Sequence, residues 1–197
     1  MAATALEEAL ARRRSCRDFA DSPVPLAAAR ALLWAAQGIT GEAGGRTAPS
    51  AHGLHPLALR LVAGRIEGLE PGIHAVAADT RGLTRLVEGD RREMLREAAL
   101  EDQPWIARAA GILSLAADLE AGRAHFADQS PAGERGARYL YIEAGAVAQN
   151  VQLAAVAAGL GAVLVAGFED AATAEALGLE PPLGPLLHLC FGWPAIG

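Results

Sequence analysis

Residues 139–159, YLYIEAGAVAQNVQLAAVAAG, carry only four strongly polar side chains: Glu143, Gln149, Asn150 and Gln152. The rest is Ala, Val, Leu, Ile, Tyr and Gly, spread over nearly every face of a helical wheel. A helix that is apolar all round is expected to be buried all round, in a core or in a membrane. The helix breaks at Gly159-Leu160-Gly161, and AVLVAGF follows as a short β-branched run. A buried central helix therefore feeds a buried strand whose glycine end brings backbone close to a neighbour. A membrane span is disfavoured, because Glu143 and the Gln149, Asn150, Gln152 group fall in mid-segment, where lipid would strand them.

A chain of 197 residues suits one domain with a sizeable core, here rich in Ala, Leu and Val. All 17 basic residues are Arg. The absence of Lys excludes a Schiff-base lysine, a lysine general base and a phosphate-loop lysine. A net charge of −6 disfavours a nucleic-acid surface. Cys16 and Cys190 lie far apart, His52 and His55 show no HxH or HExxH spacing, and no metal site is expected. The N-terminal residues read as a charged amphipathic helix, not a signal sequence, so a reducing, cytoplasmic home is expected.

The pattern predicts a helix at 4–13, an extended link at 15–19, and a helix opened by Pro25 that runs to Ala36. A glycine-rich loop follows at 38–53, then a hairpin of two strands at 57–63 and 72–78. Residues 83–96 read as a helix or helix pair, with Leu83, Leu86, Val87 and Leu95 inward and a break at Gly89-Asp90. A helix start at 101–105 precedes an apolar strand. Residues 118–136 are polar and read as an excursion or lid. After the central helix and strand come a short helix at 171–177 and a terminal strand ended by Gly192. This order predicts an α+β fold with a mostly antiparallel sheet.

Four features can carry chemistry. Arg12 to Arg14 and Arg17 crowd four guanidinium groups around Ser15, a set that grips phosphate or simply solvates a helix end. The loop RTAPSAHG at 46–53 lets backbone approach a flat ligand. The strand end VLVAGF offers backbone N–H groups, and the polar residues of the central helix read as satisfied core groups. A GxSxG elbow, a GxGxxG after a strand and a carboxylate cluster are all missing. Any catalysis is then expected to be carried by a bound cofactor, with no catalytic protein residue.

In order, RRRSCRDF (12–19), RTAPSAHGLHPL (46–57), GLEPGIHAV (68–76), QPWIARAA (103–110), residues 134–168 and PLLHLCFGWP (185–194) resemble the FMN-dependent nitroreductase family, and within it the SagB-type dehydrogenase branch. The resemblance implies a single nitroreductase-like domain over 1–197 and a homodimer with the central helix at its interface. It implies two FMN sites, each built from both subunits. Arg13 and Ser15 would hold the phosphate and ribityl chain, with Arg14 beside them. Arg17 would lie toward the pyrimidine edge, where a cation stabilises the charge of reduced flavin. Pro49, Ser50, Ala51 and Gly53 would come from the other subunit, and the Ala166 and Gly167 amides would meet N5 and O4. NAD(P)H would be the reductant and a nitroaromatic or quinone the acceptor. The alternative is a flavin-binding or assembly protein of the SagB type, without redox turnover, beside a peptide-modifying partner.

Three departures stand out. Relatives often carry a basic residue after the final strand, where this sequence reads Pro194-Ala195-Ile196, and a weaker hold on phosphate is expected. The Lys-Tyr pair of azoline-oxidising members is replaced by Pro131-Ala132. A position that is often His in relatives is Ala146.

Overall fold

The computed structural model describes residues 6–41 and 44–195. In chain order the elements are α1 (Leu6–Arg12), β1 (Val24–Pro25), α2 (Leu26–Gln37), β2 (Ile39–Thr40), β3 (Gly45–Arg46), β4 (Ala58–Ala63), β5 (Ile66–Glu67), β6 (Gly72–Val76) and β7 (Leu83–Glu88). They continue with α3 (Arg92–Glu97), α4 (Trp105–Arg108), β8 (Gly111–Ala117), α5 (Leu119–His125), α6 (Glu134–Ala157), β9 (Gly161–Val165), α7 (Asp170–Leu177) and β10 (Gly184–Gly192). The predicted start at Thr4 and the Ile196-Gly197 end lie outside the described residues.

Six strands form one sheet in the order β7-β6-β4-β8-β10-β9, antiparallel at every junction. Every residue of the central strand β8 is buried. Alternation along the strands divides the core in two. On one face Leu59, Leu61, Leu113, Leu115, Leu189 and Phe191 meet Leu32 and Leu33 of α2 and Leu140, Val147 and Val151 of α6. On the other, Val62, Ile112, Val163 and Cys190 meet Leu95 of α3, Ile106 of α4 and Leu177 of α7. The mixed helical and antiparallel architecture is the α+β class that the sequence predicts.

Two expectations need correction. Residues 83–88 form an edge strand rather than a helix, paired with β6 from Val76↔Leu83 to Gly72↔Glu88, and Leu86 is exposed rather than inward. The apolar spacing at 83, 86 and 87 imitates a helical face, but the edge of β6 pairs with the run as a strand and turns Leu86 to the outer side. The central helix begins at Glu134, and one stripe of it stays open in the single chain. Leu140, Ala144, Val147, Ala148, Val151 and Ala155 face inward, whereas Tyr141 and Ile142 are 54% and 60% exposed.

The polar excursion is fastened to α6. Asp118 caps α5 by accepting from the Ala121 N–H at 2.9 Å, and Phe126 beyond it is buried. The two helices touch backbone to backbone at Gly122 and Gly136: a Cβ on Gly136 would overlap the Gly122 carbonyl. Among the described residues no helix is long and apolar enough to cross a membrane.

Candidate cofactor site

Beyond α1 the chain touches the start of β9, the last strand of the sheet, and then pairs with the segment after β10. Ser15 pairs in parallel with Ala162, and the Cys16 N–H donates to the Ala162 carbonyl at 3.0 Å. Farther on, Phe19 faces Pro194. This lie requires glycine at 161, because a Cβ there would overlap Cys16. Between arm and sheet lies a cleft of about 220 Å³ bordered by Arg12, Arg14, Cys16, Gln152, Gly161 and Pro194.

The guanidinium groups around it differ in their ties. Arg12 is paired with Glu8 at 2.9 Å, and Arg13 donates from Nη1 to Gln152 Oε1 at 3.2 Å. Arg14 folds back onto the Ala11 and Arg13 carbonyls, and Arg17 lies 5.3 Å from the centre of the Trp105 ring. Arg14, Ser15 and Arg17 are exposed. Such an arrangement attracts an anion while leaving donors to spare.

At the other end of β9, the Leu100 N–H donates to the Gly167 carbonyl at 3.1 Å and the Glu169 N–H to the Ala98 carbonyl at 2.8 Å. Phe168 is buried against His188, ring centres 4.5 Å apart. The carbonyl side of this strap is thus pinned to the segment after α3. Among the described residues, neither the Ala166 nor the Gly167 N–H has a backbone acceptor.

The loop at 46–55 is held by α6. Asn150 Nδ2 donates to the Thr47 carbonyl at 3.0 Å, and Arg46 Nη1 donates to the Gln37 carbonyl at 2.9 Å. Ser50 Oγ accepts from the His55 N–H at 2.8 Å, and Ser50 lies beside the Glu143 carboxyl. Glu143 accepts from Gln37 Nε2 at 3.3 Å. Burial raises the Glu143 pKa, and the neighbouring Ser50, the charge of Arg46 and the bond from Gln37 oppose that rise only in part. Pro49 and Gly53 are exposed and Ser50 and Ala51 half-buried.

The anticipated residues therefore fall into three groups. Arg13, Arg14, Ser15 and Arg17 lie on the arm beside β9, and Ala166 and Gly167 at the end of that strand. Pro49, Ser50, Ala51 and Gly53 lie elsewhere: their neighbour Glu143 and the arm's anchor Gln152 are separated by about 13 Å of helix at ~1.5 Å per residue. One chain does not gather all three. Arg12, one of the four clustered guanidinium groups, borders the cleft although the family resemblance gives it no role, and Cys16 and Gln152 border it without a role expected from the sequence. Gln152 was visible as one of four polar residues in the apolar helix.

A six-stranded antiparallel sheet flanked by helices, with a guanidinium-rich arm at the start of β9 and two amides without a backbone acceptor beyond its end, defines an α+β protein with a candidate site at the sheet edge. A sequence profile of the nitroreductase family matches residues 10–193, and the chain belongs to that family. It is 35% identical, over 89% of its own length and 85% of the relative's, to a Methanocaldococcus jannaschii protein classed among the nitroreductases. A Ralstonia eutropha crystal structure of the same class superposes with a TM-score of 0.81 at 26% identity, covering 100% of this chain and 86% of that one. The fold is also shared with a chain of the E. coli microcin synthetase McbBCD complex with truncated pro-MccB17 bound. There the TM-score is 0.74 at 20% identity, over 94% of this chain and 70% of that one. Family membership assigns the chain a general oxidoreductase role.

Proposed function

We propose that the chain is an FMN-dependent oxidoreductase acting as a homodimer, with NAD(P)H as reductant and a nitroaromatic or quinone as acceptor. The observation that carries this reading is the arrangement at the two ends of β9, with arm and cleft at its Gly161-Ala162 start and the strap just past Val165. Guanidinium groups stand at one end of the strand, and two amides without a backbone acceptor stand at the other. A phosphate-tailed, flat, electron-accepting ring fits that order of donors. Arg13, Arg14 and Ser15 would hold the phosphate and ribityl chain, Arg17 would face the pyrimidine edge, and the Ala166 and Gly167 amides would donate to the ring. FMN, when bound, supplies the hydride-accepting and hydride-donating centre.

The second subunit follows from the same geometry. Pro49, Ser50, Ala51 and Gly53 stand apart from the cleft of their own chain, and α6 keeps an apolar stripe open. A second copy packed on that stripe would bring its loop to the first copy's cleft. Purified protein is expected to be yellow and to bleach on anaerobic addition of NAD(P)H. A colourless dimer that takes up no FMN on reconstitution overturns the proposal.

The fold shared with a chain of the microcin synthetase complex favours a second reading, a SagB-type flavin-binding or assembly protein working beside a peptide-modifying partner. Pro131-Ala132, in place of a Lys-Tyr pair, speaks against azoline oxidation by this chain itself. Steady NAD(P)H oxidation with menadione or nitrofurazone selects the first reading. Bound FMN without turnover on any reductant selects the second.

A further inference from the structure

His52 and His125 meet at the surface between the loop after β3 and the end of α5. Nδ1 of His52 lies 3.2 Å from Nε2 of His125, and the two rings stand at 72°. Phe126 supports both, its ring centre 4.8 Å from that of His52 and 4.6 Å from that of His125. Phe126 is itself buried and packed on Tyr139 of α6, so the pair rests on a rigid base. His52 holds its place at a cost, since its φ of 53° is left-handed. For a residue with a Cβ that conformation is strained, and glycine would avoid the strain. The other three histidines are differently engaged: His74 bonds the Glu70 carbonyl, His188 is buried on Ser114, and the Nδ1 of His55 is buried.

We propose that His52 and His125 form a two-imidazole site for a divalent transition-metal ion such as Ni²⁺ or Zn²⁺, with water completing the coordination. Two imidazole nitrogens each ~2.0–2.1 Å from a tetrahedral ion are about 3.3 Å apart, which the 3.2 Å hydrogen-bond contact matches in span, and the ion replaces that bond once both rings turn their lone pairs toward it. Imidazole nitrogen suits both metals. Among the described residues no group of three or more His, Cys, Asp or Glu is placed to hold a metal, so the ion would be exchangeable rather than structural. Bound there, it would tie the turn at 51–53 to α5. That turn belongs to the loop assigned above to flavin, but metal binding can be read without any flavin.

The test is calorimetric titration of the tag-free full chain with Ni²⁺, and separately Zn²⁺, in imidazole-free buffer near neutral pH. One ion per chain is expected, and His52→Gly and His125→Gln should each weaken binding at least about tenfold. His52→Gly suits the left-handed backbone, so its loss of binding is not a loss of fold, which circular dichroism checks. The proposal is overturned by absent saturable binding, or by binding that either variant leaves unchanged. A yellow protein that binds no metal sinks this site alone, whereas a colourless chain that binds metal through both histidines sinks only the flavin reading.

Discussion

Gln152 Oε1 accepts from Arg13 Nη1 at 3.2 Å, joining the basic arm to the helix that also fastens the loop at 46–55. Asn150 of the same helix holds Thr47, and Glu143 accepts from Gln37 and lies beside Ser50. Three of the four strongly polar residues between Tyr139 and Gly159 thus reach toward parts of the candidate site. If Arg13 meets a phosphate, Arg13→Ala should weaken FMN binding by about 2 kcal/mol, roughly thirtyfold, the value of a charged hydrogen bond. Riboflavin, which lacks the phosphate, should bind both proteins alike. Gln152→Leu frees Arg13 without removing its charge, and a smaller loss of about fivefold is expected. Flavin fluorescence titrations with the two ligands measure both effects.

Little of that anchoring could be read from the sequence, and the reason is distance along the chain. Gln152 is 139 residues from Arg13, and Asn150 is 103 from Thr47. Polar residues in an apolar helix announce that partners exist without naming them. The helix, β9 and β10 were legible because their apolar runs leave no other place to be buried. Residues 83–88 differ from expectation because Leu83, Leu86 and Val87 at i, i+3 and i+4 imitate a helix face, while in the strand Leu86 turns to the opposite side from Leu83 and Val87.

Glu143 provides a test by pH. Burial raises its pKa, so the folded state holds the proton more tightly than the unfolded chain. The stability it contributes is full below the unfolded pKa and is lost as pH rises through the folded value. Glu143→Gln keeps the neutral hydrogen-bonding shape at every pH. The variant should match the wild type in mild acid and become the more stable protein as pH rises toward neutrality. Glu143→Ala should cost about 1–3 kcal/mol, because it leaves the buried Gln37 amide without its acceptor. Urea titrations at the two pH values decide, and a Gln variant less stable at neutral pH contradicts the account.

His188 acts with the opposite sign. Fully buried between Ser114 and Phe168, it has its pKa lowered from 6.5 to about 4 by desolvation. Between those values the unfolded chain binds the extra proton, so stability is complete above pH 6.5 and falls as the solution is acidified toward pH 4. The full loss is about 3 kcal/mol at ~1.4 kcal/mol per pH unit. His188→Gln should flatten this slope while lowering stability near neutrality. Comparing the two proteins' stability at several pH values isolates the residue from Glu143.

Gly136 and Gly122 bring α5 and α6 together, but their tolerances differ. A Cβ on Gly136 would enter the Gly122 backbone, whereas one on Gly122 would meet the Leu140 methyl groups at 3.1 Å. Side-chain methyls can move and a helix backbone cannot, so Gly136→Ala should destabilise by about 1–3 kcal/mol and Gly122→Ala by less. Thermal denaturation of the pair measures the difference. Equal costs would mean that α5 shifts freely, and with it the His125 and Phe126 end of the excursion.

The open stripe of α6 separates core from interface. Ala155 is fully buried, so Ala155→Leu should overpack the core and lower stability whatever the assembly state. Gly145 lies on the exposed side, and a Cβ there would meet no atom within 4 Å. Gly145→Leu is therefore harmless to a single chain and harmful only where another surface packs closely. The neighbouring Ile142→Asp adds a charge that a monomer solvates easily and an apolar interface does not. If a second copy covers this stripe, both variants should shift the protein toward monomer in size-exclusion chromatography with light scattering. Because the loop carrying Pro49, Ser50, Ala51 and Gly53 would leave with the partner, flavin should be lost in proportion to the monomer formed. Variants that stay dimeric and retain flavin would place the interface elsewhere and leave α6 as core alone.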